Sequence, residues 1–568
     1  MIDSLNSMPG IPIILGALLI PLLRGNLQRA WMLLLPIVGF AQLVGLDHGP
    51  LVQLSLFDYD LNPVRVDKLS LVFGYIFHIA LLINVIYSLH VRDNVQHVAG
   101  LIYAGSAIGA AFAGDMITLF VYWELTAVTS VFLIWARGTE RAYRAGLRYL
   151  IIQVGSGVLL LSGVIVLVGQ TGSVAFDQME LSGLGTWLIF IAFGIKAAFP
   201  LLHGWLQDAY PEATVTGTVF LSAFTTKLAI YALARGFPGT DLLIPIGAAM
   251  TAFPIFFAVI ENDLRRVLSY SLNNQLGFMV VGIGIGTELS LNGTAAHAFS
   301  HILYKALLFM SMGAVLYRTG TIKGSELGGL YKSMPLTTAF CIIGAASISA
   351  FPLFSGFISK SLIMSAAGNG HFTVTWLILL FASAGVFHHS GIKIPFFAFF
   401  AHDSGIRCKE APMNMLVAMG IAAAMCIGIG AFPGPLYSIL PYSVDYVPYT
   451  TSHVVTQMQL LMFSALAFTF LQRTGLYPPE LPSINIDLDA IYRKLLPWGI
   501  QIVGNTVAAI RDSVISTGKN LAFGAIGLAR VAHGPSGVFA RTWLTSSAVL
   551  VVVTLLAIYL LFAYRAEF

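Results

Sequence analysis

Three titratable side chains stand four residues apart in an otherwise apolar stretch: His297, His301 and Lys305 in "HAFSHILYKALLF". That spacing puts all three on one face of a helix. Each can accept and release a proton, histidine near neutral pH, so the face reads as a path for protons. Other ionisable residues lie in equally apolar surroundings. They are Glu124 in "LFVYWELTAV", Lys196 and His203 in "GIKAAFPLLHGWL", Lys227 in "FTTKLAIYAL", Lys360 in "FSGFISKSLI" and Lys393 in "HHSGIKIPFF". A charge at the bilayer centre costs at least ~2.5–3.5 kcal/mol on insertion scales, and such residues as a rule serve function. Glu124 beside Lys196 would form a pair whose separation ejects a proton. Simpler roles compete. A lysine near a span end snorkels to the interface, and this is the better reading of Lys393. Lys196 and Lys227 have apolar residues on both sides, which argues against it. A lone histidine often only joins two helices, but three titratable groups on one face argue otherwise. Arg137, Arg141, Arg144 and Arg148 are most simply orientation signals.

The elements that position these residues are membrane spans. Of 568 residues, 57% are hydrophobic and 10% charged, against about 25% charged in a soluble domain. Mean hydropathy is +0.83. A net charge of +4 does not suggest nucleic acid. The "GIGIG" at 282–286 lies in an apolar run, where close helix packing explains it better than a nucleotide. Cys341, Cys408 and Cys426 are far apart, so neither a disulfide framework nor an iron–sulfur site is expected. No cofactor or metal is expected. The N-terminus lacks a basic region, and no cleavable signal peptide is read there.

A span needs about 20 mostly apolar residues. By that criterion about sixteen apolar stretches lie between residues 10 and 564. The fold class expected is an all-α integral membrane protein. Numbering the stretches in order places nearly all arginines and lysines in connections after odd-numbered ones. The positive-inside rule then puts those connections in the cytoplasm and both termini in the periplasm. The chain reads as a multi-pass protein of a bacterial inner (plasma) membrane.

Two apolar runs are broken in the same way, "AFPLLHGW" at 198–205 and "AFPLFSGF" at 350–357. Proline interrupts a helix, and unwound backbone at membrane depth is tolerated only where it is protein-buried or lines a cavity. Lys196 precedes the first break and Lys360 follows the second. Paired interruptions in two halves point to inverted repeats. The expected domains are 1–96, N-terminal helices; 97–236, a first repeat of helices 4–8; 241–400, a second inverted repeat of helices 9–13; 401–471, additional helices; 472–541, an amphipathic cytoplasmic surface helix, kinked by Pro497 and glycines; and 542–568, a final span. His203, just beyond its break, passes a proton on or caps the broken end.

Several stretches together resemble the proton-translocating antiporter-like family, which comprises the A-type and D-type subunits of Mrp Na+/H+ antiporters and the antiporter-like subunits of respiratory complex I. They are "GDMITLFVYWEL", "GIKAAFPLLHGWLQDAYPEA", "LSAFTTKLAIYALAR", "DLRRVLSYSLNNQLGF", "HAFSHILYKALLFMSMGAV" and "LGGLYKSMP…FPLFSGFISK". They cover roughly residues 100–370. The resemblance implies that Glu124 and Lys196 form the coupling pair, Lys227 a connecting site, His301 and Lys305 the central relay, and Lys360 the exit. His297, His203 and Lys393 are secondary candidates. Two departures stand out. The family's "APTPVSALL"-like segment reads "ATVTGTVFL", and its "HAxFKALLF" reads "HILYKALLF". The whole chain is most similar to an Mrp D-like subunit with an extended C-terminus.

The resemblance implies a proton-conducting subunit of a multisubunit membrane complex, most simply Mrp-type Na+/H+ antiport, with other membrane subunits as partners. Sodium prefers oxygen ligands, whereas the path is mainly lysine and histidine, which favours protons. The alternatives are an energising subunit for inorganic-carbon uptake with a zinc-containing partner, or for a complex I- or hydrogenase-like redox complex. A scaffold whose buried charges only fix packing is the remaining reading. No nucleophile–base constellation is visible, so a chemical enzyme is not expected.

Overall fold

Short polar side chains at the edges of apolar runs set where the helices begin. Asp93, Asp115, Thr139, Asp263, Thr287 and Thr450 each accept a hydrogen bond from a first-turn N–H, satisfying a donor the helix start leaves open. Asp67 and Ser70 form a reciprocal capping box. Gly172, Gly286 and Gly320, at φ 70°, 71° and 76°, end three helices in left-handed turns that glycine adopts without strain.

The structure, a computed structural model, describes residues 8–56, 59–481, 485–487 and 490–565. The start of the chain, 1–7, where no signal peptide is expected, lies outside the described residues. Two units are present, Met1–Asp489 and Ala490–Phe568. The apolar stretches of the sequence fall on helices. Among the described residues, twelve helices are long and apolar enough to cross a membrane, and Ile11–Leu22, Leu184–Ala197 and Pro335–Ile348 are shorter apolar ones. The chain is a multi-pass, mainly helical membrane protein.

Connections in the first unit touch one another in two separate sets. In one, Thr214 donates to Gln96 (2.8 Å), Arg141 pairs with Glu212 (2.5 Å), Asn262 donates to Ser325 (3.0 Å) and Lys332 pairs with Asp403 (3.1 Å). In the other, Arg65 pairs with Asp177 (2.7 Å), Arg235 with Asp67 (2.8 Å), Gln178 donates to the Pro238 carbonyl (3.2 Å) and Asn292 to that of Tyr442 (3.0 Å). The two sets share no connection.

The two breaks have the same backbone. Helix Leu184–Ala197 stops and Gly204–Ala209 resumes; Pro335–Ile348 stops and Ser355–Asn369 resumes. Ala198 and Leu201 take φ of 61° and 70°, Ala350 and Leu353 φ of 56° and 72°. Phe199 N–H reaches back to Gly194 O at 3.0 Å, as Phe351 N–H does to Ala346 O at 3.0 Å. Left-handed non-glycine residues cost about 1–3 kcal/mol each. Among the described residues only His371 shares the conformation.

Two features differ from expectation. Strands Gly49–Leu56 and Tyr59–Val66 form an antiparallel hairpin with Gly49 opposite Val66, where the sequence suggested only a connection. It buttresses a helix start: Asn62 N–H donates to Asp115 (2.9 Å), and Asn62 O accepts from Gly114 N–H (2.9 Å). In the second unit a π-helical turn, Ile491–Leu495, leads into one unbroken helix, Leu496–His533, rather than kinked segments. Pro497 stands in its first turn, where the missing N–H breaks no helical bond. Gly504, Gly518, Gly524 and Gly527 have open space where a Cβ would stand, so no crowding there bends the helix. At 1.5 Å per residue the helix is ~57 Å long, nearly twice the ~30 Å apolar thickness of a bilayer. Thr545–Arg565 follows as an apolar helix.

Candidate functional site

Lys196 stands in the last turn of its half-helix, beside the break, and is fully buried. Its Nζ donates to the Trp123 carbonyl (2.6 Å) and Thr126 Oγ1 (3.0 Å) and lies 4.3 Å from the Trp123 ring centroid. It does not donate to Glu124, whose Oε1 has no hydrogen-bond partner. Trp123 and Thr126 are three residues apart on one face of Met116–Trp135, and Glu124 is turned about 100° from Trp123. Glu124 instead fills the space that Gly157 leaves by lacking a side chain. The two charges stay within electrostatic reach of each other without a direct hydrogen bond.

Lys227, at the start of Thr225–Gly236, is also fully buried, with Nζ donating to Ser222 O (2.5 Å) and Thr226 Oγ1 (3.2 Å). On Glu288–Thr319 the three groups share a face as expected. His297 bonds Ser359 Oγ through Nδ1 (3.0 Å) and Gln275 Oε1 through Nε2 (3.2 Å). His301 stands 6.2 Å from the His297 ring and 5.3 Å from that of Tyr304. Both nitrogens of His301 and the Nζ of Lys305 lack hydrogen-bond partners among the described residues. His301 lies within electrostatic reach of Lys227, Lys305, His297 and Lys360, so it stands at the centre of the set. Lys360 crosses the second break to donate to Ile348 O (3.2 Å), the last carbonyl before the interruption, and lies 5.0 Å from the Phe278 ring centroid. A cavity of about 270 Å³ opens onto Lys360 past Ser361, Tyr446, His453 and Gln457.

Lys393 is buried rather than snorkelled. Its Nζ takes the carbonyls of Ala258, Val259 and Glu261 (3.2, 2.6 and 2.7 Å) and pairs with Glu480 at 2.8 Å. Preceding it in a π-helical turn, Phe387–Ile392, are His388 and His389, neither of which the sequence singles out. His389 is fully buried and bonds Ser390 Oγ (2.9 Å), which donates to Ser271 (2.7 Å). It lies within electrostatic reach of Lys305, Lys360 and Lys393. Its spacing of four from Lys393 was the available signal. His203 pairs through Nε2 with Asp487 at 3.3 Å, and Asp487 also accepts from Tyr270 OH (2.8 Å). The connector "YPPELPSINIDLD" at 477–489, polar in composition, thus carries two carboxylates to buried bases. Its positions 482–484 and 488–489 lie outside the described residues.

The basic run at 137–148 does more than mark orientation. Arg137 and Arg141 pair with Glu212 (3.5 and 2.5 Å), and Arg148 grips Asp208 with two bonds (2.7 and 2.9 Å). Asp208 and Glu212 follow the first break, so these pairs hold its resumed segment. Gly282 and Gly284 of "GIGIG" pack against Thr294 and Ile244 where a Cβ would clash. Among the described residues no group of three His, Cys, Asp or Glu side chains has the arrangement to hold a metal ion.

Comparison with known proteins gives a consistent picture. Residues 113–384 match the family model described as NADH:quinone oxidoreductase/Mrp antiporter, TM. The chain is 30% identical over 355 residues to the D-type subunit of a Na(+)/H(+) antiporter of Alkalihalophilus pseudofirmus, covering 58% of this chain and 72% of that one. It is 34% identical over 281 residues to the N-type subunit of the NADH-quinone oxidoreductase of Desulforudis audaxviator, covering 46% of this chain and 56% of the relative. Hydrogenase-4 component B of Escherichia coli is 26% identical over 65% of this chain and 62% of its own length. Among solved structures, one of the Mrp complex from Dietzia sp. DQ12-45-1b superimposes with a TM-score of 0.68 at 18% identity, over 82% of this chain and 99% of that one. One of the membrane-bound sulfane sulfur reductase, an archaeal respiratory membrane complex, gives 0.71 at 22% identity, over 96% and 99%. At these identities the structures share the fold.

Proposed function

Because the chain belongs to the NADH:quinone oxidoreductase/Mrp antiporter transmembrane family, we propose that it carries protons within a multisubunit assembly of a bacterial inner membrane, most simply Mrp-type Na+/H+ antiport. The observation that carries this reading is the row of buried ionisable groups spanning both breaks. Lys196, Lys227, His301, Lys305 and Lys360 are all at most 3% exposed, and no acidic side chain forms an ion pair with any of them among the described residues. A buried charge without a partner is costly, so such groups exchange protons more readily than they hold a permanent charge. The path runs from Glu124 and Lys196 through Lys227 to His301 and Lys305, with His297 at their side, and leaves by Lys360 and its cavity. The halves 97–236 and 241–400 act as inverted repeats, each contributing one break. Connections after odd-numbered stretches face the cytoplasm and both termini the periplasm. Na+ binds elsewhere in the assembly.

The test is proton flux into proteoliposomes holding the assembled complex. Lys305→Ala should abolish flux while the subunits still co-purify. Wild-type flux in that variant would remove the relay. A second reading, an energising subunit of a redox complex, draws on the relatives named as quinone oxidoreductase and hydrogenase components. Co-purification with a redox subunit, and no Na+-dependent flux, would favour it.

A further inference from the structure

The connector after helix Thr451–Arg473 brings acid to two buried bases in different halves of the first unit. Glu480 meets Lys393, and Asp487 meets His203. The Glu480 and Asp487 side chains are themselves only 5% and 6% exposed, although the stretch reads as a solvated linker. Burying a carboxylate costs free energy, and a linker needs none. Both contacts lie near the connection between helices Leu243–Ile260 and Leu264–Ile285, where Lys393 donates to Glu261 O and Asp487 accepts from Tyr270 OH. Asn485, between them, donates to Glu261 (3.0 Å) and holds the strap against the end of helix Leu243–Ile260. Behind Lys393 stands His389, within electrostatic reach of Lys305 and Lys360. A chain of titratable groups therefore joins the central set to Glu480.

Resting on the relay reading above, we propose that Glu480 and Asp487 are the groups through which protons pass between the buried path and the face of the membrane at this connection, Glu480 serving Lys393 and Asp487 serving His203. In the second half the step is a proton transfer from the Lys393 ammonium to Glu480. One N–H bond breaks and one O–H bond forms, leaving a neutral amine and a neutral acid, and no electron moves. Release from Glu480 to water and reprotonation of Lys393 from His389 complete the cycle. The groups facing the Lys393–Glu480 pair are Glu261 from the neighbouring connection, Tyr477 from the strap, and His388 and His389 from the lysine's own helix. Burial raises the Glu480 carboxyl above its ordinary range, and Lys393 opposes that rise. This suits an acid that must sometimes hold its proton.

The experiment compares Glu480→Gln, Glu480→Asp and Asp487→Asn with Lys305→Ala, measuring proton flux in proteoliposomes of the assembled complex. Glutamine keeps the shape of glutamate and one accepting oxygen but cannot take up or release a proton at working pH, whereas aspartate is shorter and ionisable. A positioned proton donor or acceptor contributes about 10²–10⁴-fold to a transfer rate, so Glu480→Gln should slow flux at least about tenfold. Glu480→Asp should retain more flux than Glu480→Gln, and Asp487→Asn should also slow it. The reverse order, glutamine above aspartate, would mark the strap as structural and overturn the proposal. Wild-type flux in both Glu480→Gln and Asp487→Asn, with Lys305→Ala inactive, would overturn it and leave the relay standing. Wild-type flux in all three would overturn both. Should Glu480→Gln fail to assemble, the paired change Lys393→Met with Glu480→Met decides, since apolar replacement of a buried ion pair is often tolerated. Loss of flux in an assembled double variant supports the proposal, and wild-type flux refutes it.

Discussion

Around the first break the supports are ionic. Arg137 and Arg141 hold Glu212, Arg148 holds Asp208, and His203 meets Asp487. Around the second they are mostly neutral. Gln457 donates to Ser349 O (3.2 Å), Leu353 N–H to Tyr449 OH (3.2 Å), Tyr437 OH to Ile358 O (2.9 Å), and Tyr449 OH closes onto Gly430 O. The lysines differ as well. Lys196 turns to a neighbouring helix, whereas Lys360 caps the carbonyl end of its own broken helix. Yet Ala198 and Ala350, and Leu201 and Leu353, adopt matching angles. The "AFPL" stretch therefore specifies the interruption by itself, and the surroundings only decide how the cost of unwinding is offset and which way the lysine faces.

The sharpest way to break this comparison is to exchange the lysines for arginine. A guanidinium keeps its charge at any working pH. Lys196→Arg and Lys360→Arg should each abolish proton flux, even though arginine can still donate to Trp123 O or Ile348 O. Wild-type flux in either would show that lysine to be a structural cap, and the two breaks to be functionally unequal.

A smaller effect separates the two kinds of support. Arg148→Ala leaves the buried Asp208 carboxylate without its bidentate partner. Breaking a fully buried pair costs about 3–5 kcal/mol; because Arg148 is partly exposed, a loss of about 2–3 kcal/mol is expected. Tyr449→Phe removes neutral hydrogen bonds at the second break and should cost about 1 kcal/mol. Unfolding of the purified protein in detergent measures both. Equal losses would mean the ionic and neutral supports are interchangeable.

The smallest effect tests the shared backbone. Ala198→Gly and Ala350→Gly relieve left-handed strain but add unfolded-state freedom, so each should stabilise by about 1 kcal/mol or less. The two shifts should agree within error. A gain at one site and a loss at the other would show that the matching angles conceal different strain.

Much was legible in the sequence because it is written locally. Helix extents follow from apolar run length and from capping aspartates and threonines, and the breaks follow from proline in a repeated tetrapeptide. The face shared by His297, His301 and Lys305 follows from their spacing of four. What local pattern cannot carry is the partner. Glu124 and Lys196 both stand where expected, but a turn of about 100° between Trp123 and Glu124 sends the ammonium to Trp123 and Thr126. The hairpin at 49–66 escaped because its alternation is irregular, with register shifts between the strands. His389 escaped because its one local mark is the spacing of four from Lys393, while its importance comes from Lys305 and Lys360, which only packing brings near it.

The sequence by itself determined that this chain crosses the membrane many times, where its helices start and break, and which ionisable residues lie within apolar helices. These depend on hydropathy, capping and backbone sterics acting over a few residues. Only the tertiary structure decided which of those residues meet. It sent Asp208 and Glu212 to the arginines of another helix, and it folded a polar connector inward so that Asp487 meets His203, 284 residues away. The physical reason is that a buried charge takes its partner from whatever the packing brings within about 3 Å, and packing is a property of the whole fold.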